Sequence, residues 1–480
     1  MRIVLLCGGS GKRLWPLSNE IRSKIFLKLL PVNATNAGSA DSGKESMIQR
    51  VCRQLEEAGL LTFASVVAHQ RQEGITQHHI GNRIPFIAEP HRRGTFHAIT
   101  LAAAYLHAKQ LAGMEETICV IPADLYADVD FLSMLCQFPS VLAASGAELA
   151  LLGVTPGHPS TQFGYIVPKP DQTASYSAST ASSAPPAGYA MVEQFTEKPD
   201  EATAEQLINR DAMWNCGIFA FSLKFILDIM ARKGLPTDYD ELLACYEQLP
   251  EQSFDVEVVE KTVSAAVIPY HREWRDLGDW NVLPHYLGGS KIVGAGSVSN
   301  DSAGTHIVNE LQQPIHVIGV PNIIVAASSD GILVAHKQAA NRIKSMHHDG
   351  QRLMYGEERW GSYRVLNYSL PEQGPQTMTR LIQLLPLKAI SYHAHKQREE
   401  YWTILSGTGE FILEAASRQV QAGDMLHIPA GVKHAIRALS ALEYIEVQIG
   451  NELDENDVSQ LDADWDNIGQ RNGPGGLAQP

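Results

Sequence analysis

Residues 2–16 read Arg2-Ile-Val-Leu-Leu-Cys7, followed at once by Gly8-Gly-Ser-Gly-Lys-Arg-Leu-Trp-Pro16. A short apolar run that meets a glycine cluster is how a buried parallel strand opens onto a turn. Glycines there let the backbone approach a phosphate and offer its N–H groups, and Lys12 and Arg13 add positive charge. The spacing is neither that of the Walker loop nor G-x-G-x-x-G. A bare Gly-Gly-Ser-Gly turn is read equally well as a plain strand-to-helix connection. A second apolar run, Thr117-Ile-Cys-Val-Ile121, stops at Pro122-Ala-Asp124. Between the two runs lie helical patterns at Ser46 to Gly59, with Met47, Ile48, Val51, Leu55 and Ala58 at helical spacing, and at the Ala/Leu-rich Thr95 to Leu111. Strands alternating with helices predict an α/β fold with a doubly wound, Rossmann-like parallel sheet. Such sheets bind ligands beyond the carboxyl ends of their strands, where the glycine cluster and Asp124 both fall.

The chain has 480 residues, and at roughly 150 residues per domain it holds about three units. Hydrophobic residues make up 44% and charged residues 19%, which excludes a disordered or collagenous chain. A net charge of −15 argues against nucleic acid or an anionic membrane as a partner. The six cysteines are scattered without a C-x-x-C pair, as expected of reduced thiols. No apolar run approaches the roughly 18–20 residues that span a bilayer, and the opening run is too short for a signal peptide. A cytoplasmic enzyme is expected.

Four regions follow from the texture. Residues 1–285 carry the strand–helix alternation. Within them, the low-complexity stretch 172–189 reads as an extended, mobile hairpin loop between partner strands Tyr165–Pro168 and Ala190–Phe195, and Asn33 to Gly43 as a surface insertion. Residues 286–350 are a β-rich connector resembling a short β-helix, with a connecting helix from Lys337 to His347. Residues 351–455 show many short strands, as in a barrel or sandwich. Residues 456–480 are acidic, then Gly/Pro-rich, and read as a flexible tail.

Further blocks identify the first region. Gly8–Ser18 (GGSGKRLWPLS) resembles the fingerprint of sugar-1-phosphate nucleotidyltransferases, and of their mannose-1-phosphate guanylyltransferase branch in particular. In the same order come Lys24-Ile-Phe-Leu27, Glu89-Pro90 with Thr95, Pro122-Ala-Asp124, Phe163-Gly-Tyr-Ile166, Phe195-Thr-Glu-Lys-Pro199, Trp214-Asn-Cys-Gly-Ile-Phe219 and Asp276-Leu-Gly-Asp-Trp280. The resemblance implies nucleotide binding by Gly8, Gly9, Gly11, Lys12 and Glu89. It makes Arg13 and Lys24 catalytic, near the phosphates, and gives Asp124 and Asp276 a Mg²⁺ ion as well as a catalytic role. It implies sugar-phosphate binding by Gly164, Glu197, Lys198 and Asn215. Lys12, Gly94, Phe96, His97 and Leu125 depart from the family pattern in segments that line the nucleotide pocket. Taken singly, an Asp after a strand is more often an N-cap than a ligand; the block order outweighs that.

The third region holds His393-Ala-His395, then Glu400 and Gly407, followed by Gly423, Pro429, Gly431 and His434. Alternate residues of a strand share a face, so three imidazoles and one carboxylate can converge on a transition metal such as Zn²⁺, Co²⁺ or Mn²⁺. The two halves resemble the two cupin motifs, so a C-terminal cupin β-barrel is expected. The flanking Glu358–Tyr363, Glu399–Trp402 and Ile428–His434 resemble the C-terminal cupin of type II mannose-6-phosphate isomerases. That resemblance makes Arg398 the phosphate or catalytic arginine, although His393, Lys396, Gln397 and Tyr401 depart from the family's residues.

The resemblances imply transfer of a nucleotidyl group from GTP to mannose 1-phosphate, giving GDP-mannose and pyrophosphate, with a cupin that interconverts mannose 6-phosphate and fructose 6-phosphate. A homodimer is expected by analogy. Two readings stand beside this one. The first is another sugar 1-phosphate or nucleotide with a non-isomerase cupin. The second is a non-catalytic nucleotide-sugar-binding paralogue, against which stand the charged residues Arg13, Lys24, Asp124, Lys198 and Asp276.

Overall fold

The computed structural model describes the chain apart from residues 10, 12–13, 33–42, 128, 171–187, 273, 277–279, 281, 283–286, 288–289, 347–351, 415, 455–456, 463–464 and 466–480, and apart from the side chains of 129–130, 275–276, 460 and 462. Most of the loop and insertion expected from composition therefore lies outside the described residues. The chain divides into two compact units: Met1–Arg13, Ser23–Glu73 and His79–Gly289 form the first, and Leu14–Arg22, Gly74–His78 and Ser290–Pro480 the second.

The first unit is built on a nine-stranded sheet. Its strands are β1 (Arg2–Leu6), β2 (Ala64–His69), β3 (Phe86–Glu89), β4 (Thr117–Pro122), β6 (Leu149–Val154), β7 (Tyr165–Pro168), β8 (Ala190–Thr196), β9 (Met213–Ser222) and β10 (Ala265–Tyr270), in the order β3-β2-β1-β4-β9-β6-β10-β8-β7. Two short strands, β5 (Leu125–Ala127) and β11 (Trp274–Asp276), pair separately. Strands β3, β2, β1 and β4 are parallel, as the apolar runs predict. The sheet does not stay parallel: β9 enters antiparallel between β4 and β6. Strands β7 and β8 pair with each other, so the low-complexity stretch does join partner strands.

The helix Met47–Glu57 starts at Ser46, which closes a capping box with Gln49, a device worth about 1 kcal/mol. The helix Gly94–Ala108 is buried on almost every side, and Ile99, Leu101, Ala103 and Leu106 pack it onto the sheet face formed by Val4, Val67 and Val120. At about 1.5–3 kcal/mol per fully buried Leu or Ile side chain, this packing fixes where the strand ends sit. None of the six cysteines is in a disulfide. Among the described residues, no helix is long and apolar enough to cross a membrane.

The second unit contains the β-rich connector: β12 (Ile292–Val293), β13 (Gly296–Val298), β14 (His306–Asn309), β15 (Ile315–Val317), β16 (Ile323–Ser328) and β17 (Gly331–His336). Parallel pairings β12–β14–β16 and β13–β15 give the stacked turns of a short β-helix, and β17 closes it antiparallel. The expected connecting helix is a 3₁₀ turn (Lys337–Arg342) running into one α-turn (Ile343–Met346). Residues 14–22, which follow the last glycine of the opening turn, pack within this unit. Asn19 Nδ2 donates to Asp330 at 2.8 Å, and buried Arg22 makes a two-pronged contact with Glu310.

Two facing sheets make the cupin. One runs β18 (Tyr355–Glu358), β19 (Gly361–Ser369), β20 (Gln376–Leu384), β27 (Leu442–Gly450), β22 (Arg398–Ser406), β25 (Met425–Ile428). The other runs β24 (Ala416–Gln421), β23 (Thr408–Leu413), β26 (His434–Ala438), β21 (Ala389–Ala394), β28 (Ser459–Asp462). Trp402, Ile404, Phe411, Leu426 and Tyr444 fill the space between them. Strand β28 corrects the expectation of a tail from residue 456: residues 459–462 extend the second sheet by pairing with β21. Alternation over four residues is too short a signal to stand out in an acidic stretch.

Candidate functional site

In the first unit the chemistry gathers at the carboxyl ends of β1 and β4. Gly9 and Gly11 have φ of 140° and 67°, a region that only glycine enters without strain, and a Cβ at Gly8 or Gly9 would meet nothing within 4 Å. Lys24 opens a 3₁₀ turn held down by buried Ile25 and Phe26, and its Nζ lies 2.5 Å from Asp124 Oδ2. Ala123 N–H donates to Leu6 O at 3.0 Å, which ties the exit of β4 to the end of β1. In β11, Asp276 pairs with Leu125, so its backbone stands beside the residue following Asp124. Lys12, Arg13 and the Asp276 side chain lie outside the described residues. Glu89, the last residue of β3, is not joined to this group. It is buried, accepts Tyr246 Oη–H at 3.0 Å and Arg93 N–H at 3.4 Å, and burial raises its pKa.

Gly164, Glu197, Lys198 and Asn215 do come together. Asn215 N–H donates to Gly164 O at 2.8 Å. A Cβ at Gly164 would sit 2.6 Å from Glu197 Oε2 and 2.8 Å from Phe195 Cζ, so the absence of a side chain there leaves room for Glu197. Lys198, held at φ 44°, pairs with Glu197. The amide of Asn215 is committed internally: Oδ1 accepts Gly217 N–H at 3.0 Å, and Nδ2 donates to Asp255 Oδ1 at 2.7 Å. Sequence reasoning missed Asp255, which sits in an unremarked run, Phe254-Asp-Val-Glu-Val-Val259.

In the cupin, His393 on β21 lies opposite His434 on β26, His395 follows β21 directly, and Glu400 comes from β22 of the facing sheet. The ligand nitrogens of the three histidines lie within 4.8 Å of one another. Each ring directs Nδ1 at a backbone carbonyl: Ser391 at 2.6 Å, Asp457 at 2.5 Å and Val432 at 3.1 Å. A carbonyl only accepts, so each Nδ1 carries the proton and each Nε2 keeps its lone pair. Glu400 Oε1 is 3.2 Å from His395 Nε2, and Oε2 is 3.5 Å from His434 Nε2.

Burial, reinforced by His434, pushes His393 down to about 3, and burial also lowers His395. Burial alone would raise Glu400, but the close approach of His434, His395 and Arg398 holds it well below the usual carboxylate range. His434 Nε2 is fully buried, and no well-formed hydrogen bond satisfies it. Neutral imidazoles with fixed tautomers, an ionised carboxylate and an orphaned lone pair fit a divalent cation. Arg398 closes the group, donating from Nε to Glu400 Oε1 at 3.3 Å and from Nη2 to His395 Nε2 at 3.3 Å.

His393, His395, Arg398 and Glu400 line a cavity of about 270 Å³. Its far wall holds residues that sequence reasoning did not single out. Arg380 grips Glu446 with two N–H donors, and Gln448 Nε2 bridges Glu446 Oε1 at 2.6 Å and Glu400 Oε1 at 3.2 Å. Period-2 alternation along β27 was the available signal, since Glu446 and Gln448 share the inward face of Leu442 and Tyr444. Asp457, in the stretch read as tail, holds Lys396 N–H and Gln397 N–H at 3.0 Å each, and with them the loop behind His395.

Comparisons with known proteins agree with this architecture. Residues 2–286 match the nucleotidyl transferase family model, and residues 345–463 match that of the mannose-6-phosphate isomerase C-terminal region. The alginate biosynthesis protein AlgA of Pseudomonas fluorescens is 28% identical, over 96% of this chain and 95% of that protein. A mannose-1-phosphate guanylyltransferase of Escherichia coli is 28% identical, over 95% of this chain and 98% of that protein. A crystal structure from Thermus thermophilus, described as a mannose-1-phosphate geranyltransferase, superposes with a TM-score of 0.57 at 26% identity, covering 72% of this chain and 97% of that one. Strand order, the glycine turn and the family match converge: the chain is an enzyme belonging to the nucleotidyl transferase family, with a mannose-6-phosphate isomerase-type cupin as its C-terminal part.

Proposed function

We propose that the first unit transfers a guanylyl group from GTP to mannose 1-phosphate, and that the cupin interconverts mannose 6-phosphate and fructose 6-phosphate, in the cytoplasm. The observation that carries the first activity is the Lys24–Asp124 pair at the carboxyl ends of the parallel strands, beside the open backbone of Gly8 and Gly9. A phosphate oxygen of the sugar phosphate attacks the α-phosphorus of GTP; the new P–O bond forms as the bond to pyrophosphate breaks. This chemistry needs alignment and charge neutralisation more than covalent help. Lys24 exchanges its carboxylate partner for phosphate oxygens, the glycine N–H groups and Arg13 hold the triphosphate, and Lys198 takes the sugar phosphate. Asp124 and Asp276 would hold a Mg²⁺ ion, whose charge offsets that of the phosphates.

In the cupin, His393, His395, Glu400 and His434 would hold a divalent transition ion such as Zn²⁺, Co²⁺ or Mn²⁺, which when bound would supply Lewis-acid polarisation of the sugar carbonyl. Arg398 is the phosphate-binding or catalytic arginine at this cavity, and the apolar wall of Trp402 and Tyr444 limits water.

Pyrophosphate release from GTP, mannose 1-phosphate and Mg²⁺ tests the first activity. Release is expected with this pair above other pairs, and silence with every nucleotide and sugar phosphate overturns the reading. Aldose–ketose conversion with Co²⁺, Zn²⁺ or Mn²⁺ tests the second; none with any ion reduces the cupin to a binding unit.

A further inference from the structure

The segment Asp255–Val259 forms a π-type helical turn, a rare backbone form that concentrates at functional sites. It is pinned from the segment around Thr95: Phe254 N–H donates to Thr95 Oγ1 at 2.9 Å, and Gln252 exchanges backbone bonds with Arg93 and Phe96. Its carboxylates are used in different ways. Glu257 pairs with Lys233 and with Lys261. Glu260, just past the turn, accepts Glu197 N–H at 3.2 Å. Asp255 makes no ion pair among the described residues, and its side-chain partner is the neutral amide of Asn215.

Burial and the neighbouring charge of Glu197 push Asp255 up to about 6, against the pull of Lys198. A shielded carboxylate with an uncharged partner, next to a second carboxylate, is costly unless something donates to it. Ligand hydroxyls are the fitting donors, since they satisfy carboxylate oxygens without adding charge. Asn215 gives one N–H to Asp255 and takes one from Gly217, so its amide is held in place facing Asp255.

We infer that Asp255 and Glu197 together accept the ring hydroxyls of the hexose 1-phosphate, and that Asn215 is the positioning residue that aims Asp255. The inference rests on the nucleotidyltransferase reading and adds a residue to its sugar site. Lys198, paired with Glu197, marks the end of the site where the phosphate lies, so Asp255 reads hydroxyls on the ring side.

The test is steady-state kinetics of the full chain with Asp255→Asn, Asp255→Ala, Asn215→Ala and the double variant. For Asp255→Ala, KM for mannose 1-phosphate should rise about 10- to 100-fold, while KM for GTP stays within about twofold. Discrimination between mannose 1-phosphate and its epimers should fall by a similar factor. Asp255→Asn, which keeps shape and one acceptor, should fall between. Asn215→Ala should raise the sugar-phosphate KM, and the double variant should be no worse than Asp255→Ala, because the two act through one contact. Equal changes in both KM values, unchanged discrimination, or additive losses would overturn the inference. If the wild-type chain releases no pyrophosphate with any pair, the functional reading fails. Calorimetry of mannose 1-phosphate binding to wild type and Asp255→Ala then decides the inference separately: equal affinity, or no binding to either, overturns it.

Discussion

The two candidate sites hold their charges in opposite ways. In the first unit two site lysines already have carboxylate partners: Lys24 sits on Asp124 and Lys198 on Glu197. In the cupin, three buried imidazoles point lone pairs at one another around a single carboxylate, and Arg398 is the cation among the described residues that touches them. The first arrangement suits anionic substrates that come and go, because each lysine trades one anion for another at little cost. The second suits a cation that stays, because neutral donors in a shielded cavity gain most from one fixed positive charge.

Removing Lys24 should have the largest effect. Lys24→Met should lower kcat for pyrophosphate release by about 1,000-fold or more, as expected for loss of a charge that meets the developing transition state, with isomerase activity unchanged. Loss of both activities would show that the sites are not independent. In the cupin, His434→Ala should reduce bound transition metal, measured by elemental analysis, and lower isomerase turnover by about 100-fold or more; pyrophosphate release is the internal control.

Acid should separate the regions as well. His393 is depressed to about 3 in the fold, so its contribution to stability is present above its unfolded pKa of about 6.5 and is lost as pH falls toward 3. In the metal-free protein that amounts to about 1–2 kcal/mol between pH 7 and 5. Asp255 runs the other way: raised to about 6, it favours the fold below its unfolded pKa of about 3.9, and that stability is lost as pH rises through 6. Calorimetric scans from pH 7 to 5 should therefore show the cupin transition falling while Asp255 stabilises the first unit. Parallel shifts that remain parallel in Asp255→Asn and His393→Gln would remove the contrast.

Smaller effects test local packing. Gly164→Ala places a methyl 2.6 Å from Glu197 Oε2 and should cost about 1–3 kcal/mol while raising the sugar-phosphate KM more than the GTP KM. Ser46→Ala removes a helix cap and the buried contact of Ser46 Oγ with His79 Nδ1 at 2.8 Å, and should cost about 1–3 kcal/mol, read from thermal unfolding, with both activities intact.

The legible parts of the molecule were those with strong local signals. The run Arg2–Cys7 against glycines, the buried helix after Thr95, and the spacing of His393, His395, Glu400 and His434 each reflect constraints met within a few residues. What escaped were residues whose roles come from distant partners. Asp255 acquires a role only when β9 brings Asn215 beside the π-type turn. Glu446 and Gln448 face Glu400 only because β27 lies between β20 and β22. Asp457 supports His395 only because β28 joins the sheet edge.

Sequence alone determined the class of fold, the order of the regions and the residue types available for phosphate and metal chemistry, because periodicity and motif spacing are local properties of the chain. The tertiary structure decided the antiparallel entry of β9, the tautomers of His393, His395 and His434, and the bond of Asn215 to Asp255. Those outcomes depend on which buried donors and acceptors meet across the sheets, because most buried polar groups must find their partner within the fold.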